Sequence, residues 1–244
     1  MTGRENPEIP SADRTALLCV PFAGAGASFF HPWRAWSAGR WRVVPFELPG
    51  RERRMLETPY RKATEAAGAE AAGIAATLGE GAGAVLFGHS LGAVLAFELT
   101  RLLSARGIRI ELLVVSGSPG PWTQRERRAT GLPDEEFLAR VEEFAGFRHA
   151  ALDHPEMREL ILPVLRADCE MHENYVPDSG EPVPVPICSL RGASDGLVTA
   201  DEARQWRDAT TAGFRYRELP GDHMYLVDRG RDVLDVIAAE SAPG

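Results

Sequence analysis

A serine between two glycines has the surroundings of a catalytic nucleophile. Residues 83–97 read GAVLFGHSLGAVLAF, which is an apolar strand pattern, the turn Gly88-His89-Ser90-Leu91-Gly92 and the start of an apolar helix. This is the G-x-S-x-G pattern of a nucleophile elbow, in which a strained strand-to-helix turn exposes the serine hydroxyl. A side chain at either glycine would collide with the neighbouring strand or helix. The pattern therefore predicts that Ser90 is a nucleophile rather than part of an ordinary glycine-rich turn.

The base and the acid that such a serine needs follow later strand patterns. Among the six histidines, His223 directly follows the last strand pattern, whereas His89 adjoins the serine and is more typical of a structural residue. Asp195 lies in a loop after the preceding strand pattern. The loop at 116–120 contains no carboxylate that would compete with it. We expect a Ser90–His223–Asp195 triad, the alternative being that Asp195 only caps a turn.

Two backbone N–H groups are candidates for stabilising negative charge on a carbonyl oxygen. One belongs to Leu91, the residue after the nucleophile, and the other to Ala23 in the small-residue loop 21–28. This loop also contains Gly24-Ala25-Gly26, which is part of a dinucleotide-binding pattern. Phe29 stands where the third glycine of that pattern belongs. We therefore expect an oxyanion hole here and no bound nucleotide.

The elements that must position these residues alternate along the chain. Strand patterns cover 15–20, 42–47, 83–87, 110–116, 183–192 and 214–219. Helical patterns cover 62–78, 91–105, 199–211 and 229–240. The alternation predicts an α/β protein with a mostly parallel central sheet and helices on both faces. Together with the order serine, aspartate, histidine, it is typical of the α/β-hydrolase fold.

One long segment interrupts the alternation. Residues 119–178 contain no convincing strand pattern, and apolar spacing predicts helices at 132–146 and 154–175. Inserted elements in such folds lie above the carboxyl ends of the strands, where ligands bind. We therefore expect residues 1–244 to form one domain with a helical lid inserted at 119–178.

Composition restricts the partners and the location. The formal net charge of −8 argues against nucleic-acid binding, because no excess of Lys and Arg is present to neutralise phosphates. No stretch approaches the roughly 20 apolar residues of a membrane span, and the polar start lacks a signal peptide. Three dispersed cysteines suit buried thiols in a reducing compartment better than a metal site. We expect a cytoplasmic enzyme without metal, membrane or nucleic-acid partners.

Longer motifs point to a family. The chain resembles the type II, or editing, thioesterases of polyketide and nonribosomal peptide pathways in PFAGAGAS (21–28), ELPGRERR (47–54), GHSLGA (88–93), LPVLRADCEMHENY (162–175) and PGDHMYLV (220–227). The resemblance implies hydrolysis of acyl thioesters on the phosphopantetheine arm of acyl or peptidyl carrier proteins, through an acyl-enzyme on Ser90. It implies no cofactor beyond that arm. Phe22 stands where many members have histidine or tyrosine, a departure that bears on acyl preference.

Apolar and basic residues are candidates for substrate and carrier binding. The apolar faces of the insertion either line the acyl chain or simply pack: Phe137, Leu138, Val141, Phe144, Leu160 and Leu165. Carrier proteins are typically acidic, so an acidic enzyme needs local positive charge to bind one. Two basic clusters are present, Arg51, Arg53 and Arg54 after the second strand and Arg125, Arg127 and Arg128 in the insertion. We take Phe22, Arg51 and Arg54 as binding candidates, the alternative for the arginines being solvated charges.

The same triad would serve other activities. A small-molecule carboxylesterase, or an off-loading enzyme that releases a finished product by hydrolysis or cyclisation, would use the same residues. A catalytically silent scaffold acting as a binding protein is disfavoured by the complete triad.

Overall fold

A six-stranded parallel sheet forms the centre of the molecule. The computed structural model describes residues 14–145 and 150–242. The strands are β1 (Ala16–Val20), β2 (Arg42–Pro45), β3 (Gly83–His89), β4 (Arg109–Ser116), β5 (Ile187–Gly192) and β6 (Phe214–Leu219). Their order is β2-β1-β3-β4-β5-β6, and every neighbouring pair is parallel. The α/β fold with a mostly parallel sheet is thus confirmed.

Seven α-helices are present in the described residues, and most agree with the sequence patterns. They are α1 (His31–Trp36), α2 (Ala63–Leu78), α3 (Leu91–Ser104), α4 (Asp134–Ala145), α5 (Pro155–Glu173), α6 (Ala200–Arg204) and α7 (Leu226–Glu240). The pattern at 199–211 becomes the short α6 followed by a 3-10 turn, Gln205–Ala209. Helix α1 was not predicted, because six residues are too few to show helical spacing.

Strand β5 occupies only the second part of the stretch 183–192 that was predicted to contain it. Pro182, Pro184 and Pro186 lack the N–H that a central strand donates to its neighbours. Only an isolated bridge from Val183 to Thr210 forms in this stretch. Regular pairing therefore starts at Ile187.

The sheet has an apolar core on each face because successive strand residues point to opposite sides. One core combines Leu18, Leu86 and Leu113 with helices α2 and α3, and the other combines Leu17, Val85 and Val114 with α1 and α7. Helices α4 and α5, in the segment between β4 and β5, enclose a third, separate cluster that contains Phe137, Leu138, Leu162 and Leu165. The three cysteines are buried and free.

The strand order places one crevice at the carboxyl edge of the sheet. From β1 the chain crosses to β2 on one side, and from β3 it crosses to β4 on the other. Such a reversal leaves a crevice between the two strands in which ligands bind. Val20 pairs with Gly88, so the loop after β1 and the turn after β3 leave the sheet side by side.

Candidate active site

Ser90 lies in a strained turn between β3 and α3. Its backbone angles, φ 53° and ψ −114°, fall in a region that residues with a Cβ rarely adopt. A Cβ on Gly88 would lie 2.0 Å from the carbonyl oxygen of Gly92, and one on Gly92 would lie 2.3 Å from that of Val20. Both glycines are therefore needed for strand and helix to approach so closely. This is the backbone geometry of a nucleophile elbow, and Ser90 lines a cavity at the sheet edge.

Asp195 and His223 form a hydrogen-bonded pair beside this cavity. The Nδ1 atom of His223 lies 2.9 Å from Oδ2 of Asp195. The other carboxylate oxygen accepts the backbone N–H groups of Leu197 at 2.8 Å and Val198 at 3.1 Å. His223 lines the same cavity as Ser90. The structure thus brings the three residues predicted for a triad to one site.

The surroundings of Asp195 favour its ionised form, although the residue is only 5% exposed. Burial alone would raise the pKa of this carboxyl. The hydrogen bond and charge of His223, with the N–H groups of Leu197 and Val198, more than offset burial and lower the pKa below its ordinary value. An ionised Asp195 holds the Nδ1 proton of His223, which leaves Nε2 as the basic nitrogen.

The loop after β1 lies against the start of α3, as an oxyanion hole requires. A Cβ on Gly92 would approach the carbonyl oxygens of both Val20 and Pro21, so the first turn of α3 contacts this loop directly. Ala23 lines the same cavity as Ser90, and the N–H of Leu91 is the first in α3. The two predicted donors are therefore on adjoining segments.

A buried ion pair fixes the position of this loop. Arg51 forms a two-pronged bond with Asp168 of α5, with NH1 and NH2 at 2.9 and 2.7 Å from the two carboxylate oxygens. Asp168 also accepts the N–H of Gly24 at 2.8 Å, and Arg51 donates to the Ala25 carbonyl at 2.9 Å. The loop that carries Ala23 is therefore bonded to helix α5. This network was missed because its members are 117 residues apart in sequence.

Arg51 and Arg54, the two arginines predicted to bind substrate or carrier, are both bonded to other groups of this protein. Arg51 is 9% exposed and is bonded to Asp168 as described above. Arg54 donates to Glu57 and Glu70 and to the carbonyl of Glu47. Neither arginine is among the described residues that line the cavity. Arg51 therefore supports the loop after β1, whereas the partners of Arg54 lie outside that loop. Binding of a carrier protein by either arginine stays a prediction.

The cavity at Ser90 has a volume of about 410 Å³ and one largely apolar wall. That wall is formed by the insertion, through Leu138, Val141, Phe144, Leu152, Ile161 and Leu165. Of the predicted lining residues, Phe137 is instead buried in the cluster between α4 and α5, and Leu160 is 53% exposed. Phe22 lines the cavity and packs edge-on against Phe29, with ring centres 5.0 Å apart.

His89 belongs to a buried polar chain behind the nucleophile. Its Nδ1 lies 2.8 Å from Ser116 Oγ, which lies 2.6 Å from the Tyr225 hydroxyl. Burial, and then the proximity of His223 and His172, hold the pKa of His89 well below its ordinary value. His89 is therefore neutral and structural, as its place in the turn indicates. Ser116 lies in no quoted motif, and Tyr225, although part of PGDHMYLV (220–227), has a partner that sequence alone does not identify.

Within residues 14–145 and 150–242, no group of three His, Cys, Asp or Glu side chains is arranged to hold a metal ion. None of the helices in these ranges is long and apolar enough to span a bilayer.

A thioesterase-domain family model matches residues 15–240. The chain belongs to the thioesterase family. It is 30% identical to the gramicidin S biosynthesis protein GrsT of Aneurinibacillus migulanus, covering 96% of this chain and 92% of that protein. It is 33% identical to thioesterase PikA5 of Streptomyces venezuelae, covering 96% and 83%. The structure of the type II thioesterase BorB from the borrelidin biosynthetic cluster superposes with a TM-score of 0.82 at 33% identity, covering 97% and 94%.

These similarities confirm the resemblance and the fold predicted from sequence. The thioesterase shares its type II relatives' architecture over nearly its whole length. Its family makes it a serine hydrolase that acts on thioesters.

Proposed function

We propose that this thioesterase hydrolyses acyl thioesters held on the phosphopantetheine arm of acyl or peptidyl carrier proteins in polyketide or nonribosomal peptide biosynthesis. The observation that carries the proposal is the His223–Asp195 pair, with Nδ1 to Oδ2 at 2.9 Å, in the same cavity as the strained Ser90. Relatives named for such pathways support the substrate class. No cofactor beyond the arm of the substrate is required.

In the first half-reaction the serine takes the acyl group. Nε2 of His223 removes the Ser90 proton while Oγ forms a bond to the thioester carbonyl carbon. The carbonyl oxygen becomes an oxyanion that accepts the N–H groups of Ala23 and Leu91. The intermediate then collapses, the C–S bond breaks, and His223 passes its proton to the departing thiolate. Asp195 stabilises the imidazolium throughout.

In the second half-reaction water regenerates the enzyme. His223 removes a proton from a water molecule as its oxygen attacks the acyl-enzyme carbonyl, and the same two N–H groups hold the oxyanion. The bond to Ser90 Oγ breaks, Oγ regains the proton from His223, and the carboxylic acid leaves. One water is consumed, and one acid and one thiol are released.

The insertion at 119–178 acts as the lid of the acyl site in this proposal. Its described apolar side chains form one wall of the cavity, which Phe22 and Ser90 also line. A cavity of about 410 Å³ accommodates a short or medium acyl chain.

The decisive experiment compares Ser90→Ala with Ser104→Ala on an acylated carrier protein. Ser90 directly precedes helix α3, and Ser104 is exposed at the end of the same helix. Ser90→Ala should reduce turnover by several orders of magnitude and abolish labelling by a fluorophosphonate probe, while Ser104→Ala should change neither. Full turnover by Ser90→Ala would overturn the assignment.

The leaving group is tested separately. The wild-type enzyme should prefer acyl carrier protein to acyl-pantetheine, and both to p-nitrophenyl esters. A large preference for the oxygen esters would instead indicate a small-molecule carboxylesterase.

A further inference from the structure

The cavity wall contains an arginine without a carboxylate partner in the described part of the chain. Arg125 lines the cavity, and its Nε is buried and makes no hydrogen bond to a described residue. Its other nitrogens reach only neutral oxygens at long range, Thr123 O at 3.4 Å, Ser118 Oγ at 3.4 Å and Pro119 O at 3.3 Å. These distances exceed the 2.7–2.9 Å typical of charge-assisted bonds, so much of the guanidinium's donor capacity is unused.

The charge of Arg125 is held in a place that does not favour it. Burial lowers the pKa of the guanidinium to about 10, and the main compensation is the Tyr175 ring, which lies 4.8 Å from the guanidinium carbon. The Tyr175 hydroxyl donates to Glu98 at 2.6 Å, so that carboxylate is already hydrogen-bonded. A cation buried with a stacking partner but no anion is typical of a binding site rather than of a stabilising pair.

The acidic side chains near Arg125 are already occupied. Glu173 accepts three backbone N–H groups, from residues 128 to 130, at 2.8–3.0 Å. Glu202 caps helix α6, Glu126 pairs with Arg128, and Glu142 has a partner of its own. Glu126, Glu173 and Glu202 are thus bonded to groups other than Arg125.

A second residue of the same wall also has a ring nitrogen without a partner in the described residues. His172 lines the cavity, and its Nε2 is buried without a partner among the described residues. Burial, then the charge of Arg125, then that of His223 lower the pKa of His172, so the ring is neutral and close to both. A neutral imidazole in its Nε2–H tautomer would add a donor beside the guanidinium.

We propose that Arg125, assisted by His172, forms an anion-binding subsite of the substrate cavity, taking an anionic oxygen of the bound acyl-phosphopantetheine. The inference rests on the proposed function and names a further determinant of its specificity. Two parts of the substrate carry such oxygens, a carboxylate on the acyl chain and the phosphate of the arm. A guanidinium binds either one through paired N–H groups.

Matched thioesters distinguish the two sources. Malonyl-pantetheine is compared with isovaleryl-pantetheine, and adipoyl- with 6-methylheptanoyl-pantetheine, because each pair exchanges a carboxylate for an isopropyl group of the same shape. Isovaleryl-pantetheine is compared with isovaleryl-4′-phosphopantetheine, which adds only the phosphate. In at least one of these comparisons the anionic thioester should have a kcat/KM higher by about tenfold or more. This is the ratio that one charge-assisted hydrogen bond provides.

Two variants test whether Arg125 is responsible. Arg125→Gln should reduce that preference to within about twofold. Arg125→Lys should reduce it only partly, because lysine keeps the positive charge but lacks the paired N–H groups of a guanidinium. Arg127→Gln, an equal charge change at an exposed position two residues away, should leave the preference unchanged. Folding of each variant is checked by thermal unfolding.

The outcomes separate this inference from the proposed function. Wild-type ratios near one in all comparisons, or a preference that persists in Arg125→Gln, would overturn the anion subsite while leaving a working thioesterase. An enzyme that hydrolyses none of these thioesters, nor acyl carrier protein, would overturn the proposed function and the subsite with it.

Discussion

The buried pair between Arg51 and Asp168 should contribute to both stability and rate, and Asp168→Asn separates the two. The side chains are 9% and 0% exposed, and their two bonds measure 2.7 and 2.9 Å. Removing one partner of such a pair leaves an uncompensated buried charge, which costs about 3–5 kcal/mol. Because the amide retains one acceptor oxygen, we expect a loss near the lower end, about 3 kcal/mol, in the free energy of unfolding.

The same substitution should slow catalysis through the loop after β1. Asp168 accepts the N–H of Gly24, the residue next to the proposed oxyanion donor Ala23. Complete removal of one oxyanion-hole donor costs about 10²–10³ in kcat. Asp168→Asn displaces the donor without removing it, so we expect a smaller loss, about tenfold to a hundredfold in kcat.

The assay combines urea unfolding with steady-state kinetics on an acyl thioester. Glu170→Gln is the matched control, because Glu170 lies on the same helix and pairs with Arg61 at the surface. An exposed pair contributes about 0–1 kcal/mol, so this control should change neither quantity much. The double variant Arg51→Met/Asp168→Leu removes both charges and should recover most of the stability but not the rate.

Two results would refute this reasoning. If Asp168→Asn lowers the free energy of unfolding no more than Glu170→Gln does, the substitution does not leave a costly unpaired charge at Arg51. If Asp168→Asn is destabilised but retains its kcat, the bond to Gly24 does not position the loop.

Three further predictions follow from the site and the core. Asp195→Asn should fold normally but lower kcat by about 10⁴, because the imidazole loses the acceptor that sets its tautomer; steady-state kinetics with circular dichroism as a folding check would show it. Gly92→Ala should lower the free energy of unfolding by about 1–3 kcal/mol, since its Cβ would lie 2.3 Å from the Val20 carbonyl oxygen, and an unchanged urea midpoint would contradict this. Burial is the main cause that raises the pKa of Glu98, which accepts the Tyr175 hydroxyl at 2.6 Å. The stabilising contribution of Glu98 is therefore complete below the pKa it has in the unfolded chain. That contribution is lost as the pH rises through the pKa it has in the folded protein. Glu98→Gln should therefore melt above the wild type at pH 7 with a smaller difference at pH 4, and equal shifts at both pH values would count against it.

The residues that sequence placed well are those defined by strand ends. Ser90, Asp195 and His223 each follow a strand of a parallel sheet, whose carboxyl ends share one edge, so position along the chain was enough to bring them together. The close approach of strand and helix at the elbow requires glycine at positions 88 and 92, and the five-residue pattern shows this requirement in the sequence. Apart from α1 and α6, the helix and strand bounds lie within about three residues of the sequence patterns or inside them.

The residues that sequence placed poorly are those whose partners are distant. Arg51 lies in a charged stretch of the sequence that is typical of a protein surface. Only the fold shows that its partner is Asp168, 117 residues away in the chain. Leu160 and Phe137 have the spacing of one apolar face, yet one is exposed and the other is buried between helices. Helical spacing defines a face, but not which part of that face meets a cavity.

Helix α5 connects the cavity that we propose as the acyl site to the loop that carries the proposed oxyanion donor Ala23. Leu165 and His172 line the cavity from this helix, and Asp168, on the same helix, holds Gly24 by its N–H. Leu165 also packs against the loop, because a Cβ on Gly24 would lie 2.6 Å from its Cδ2. A substitution in α5 that reshapes the cavity therefore also moves the loop that carries Ala23. Acyl preference and turnover rate should change together along this helix, whereas substitutions in α4 should change acyl preference alone.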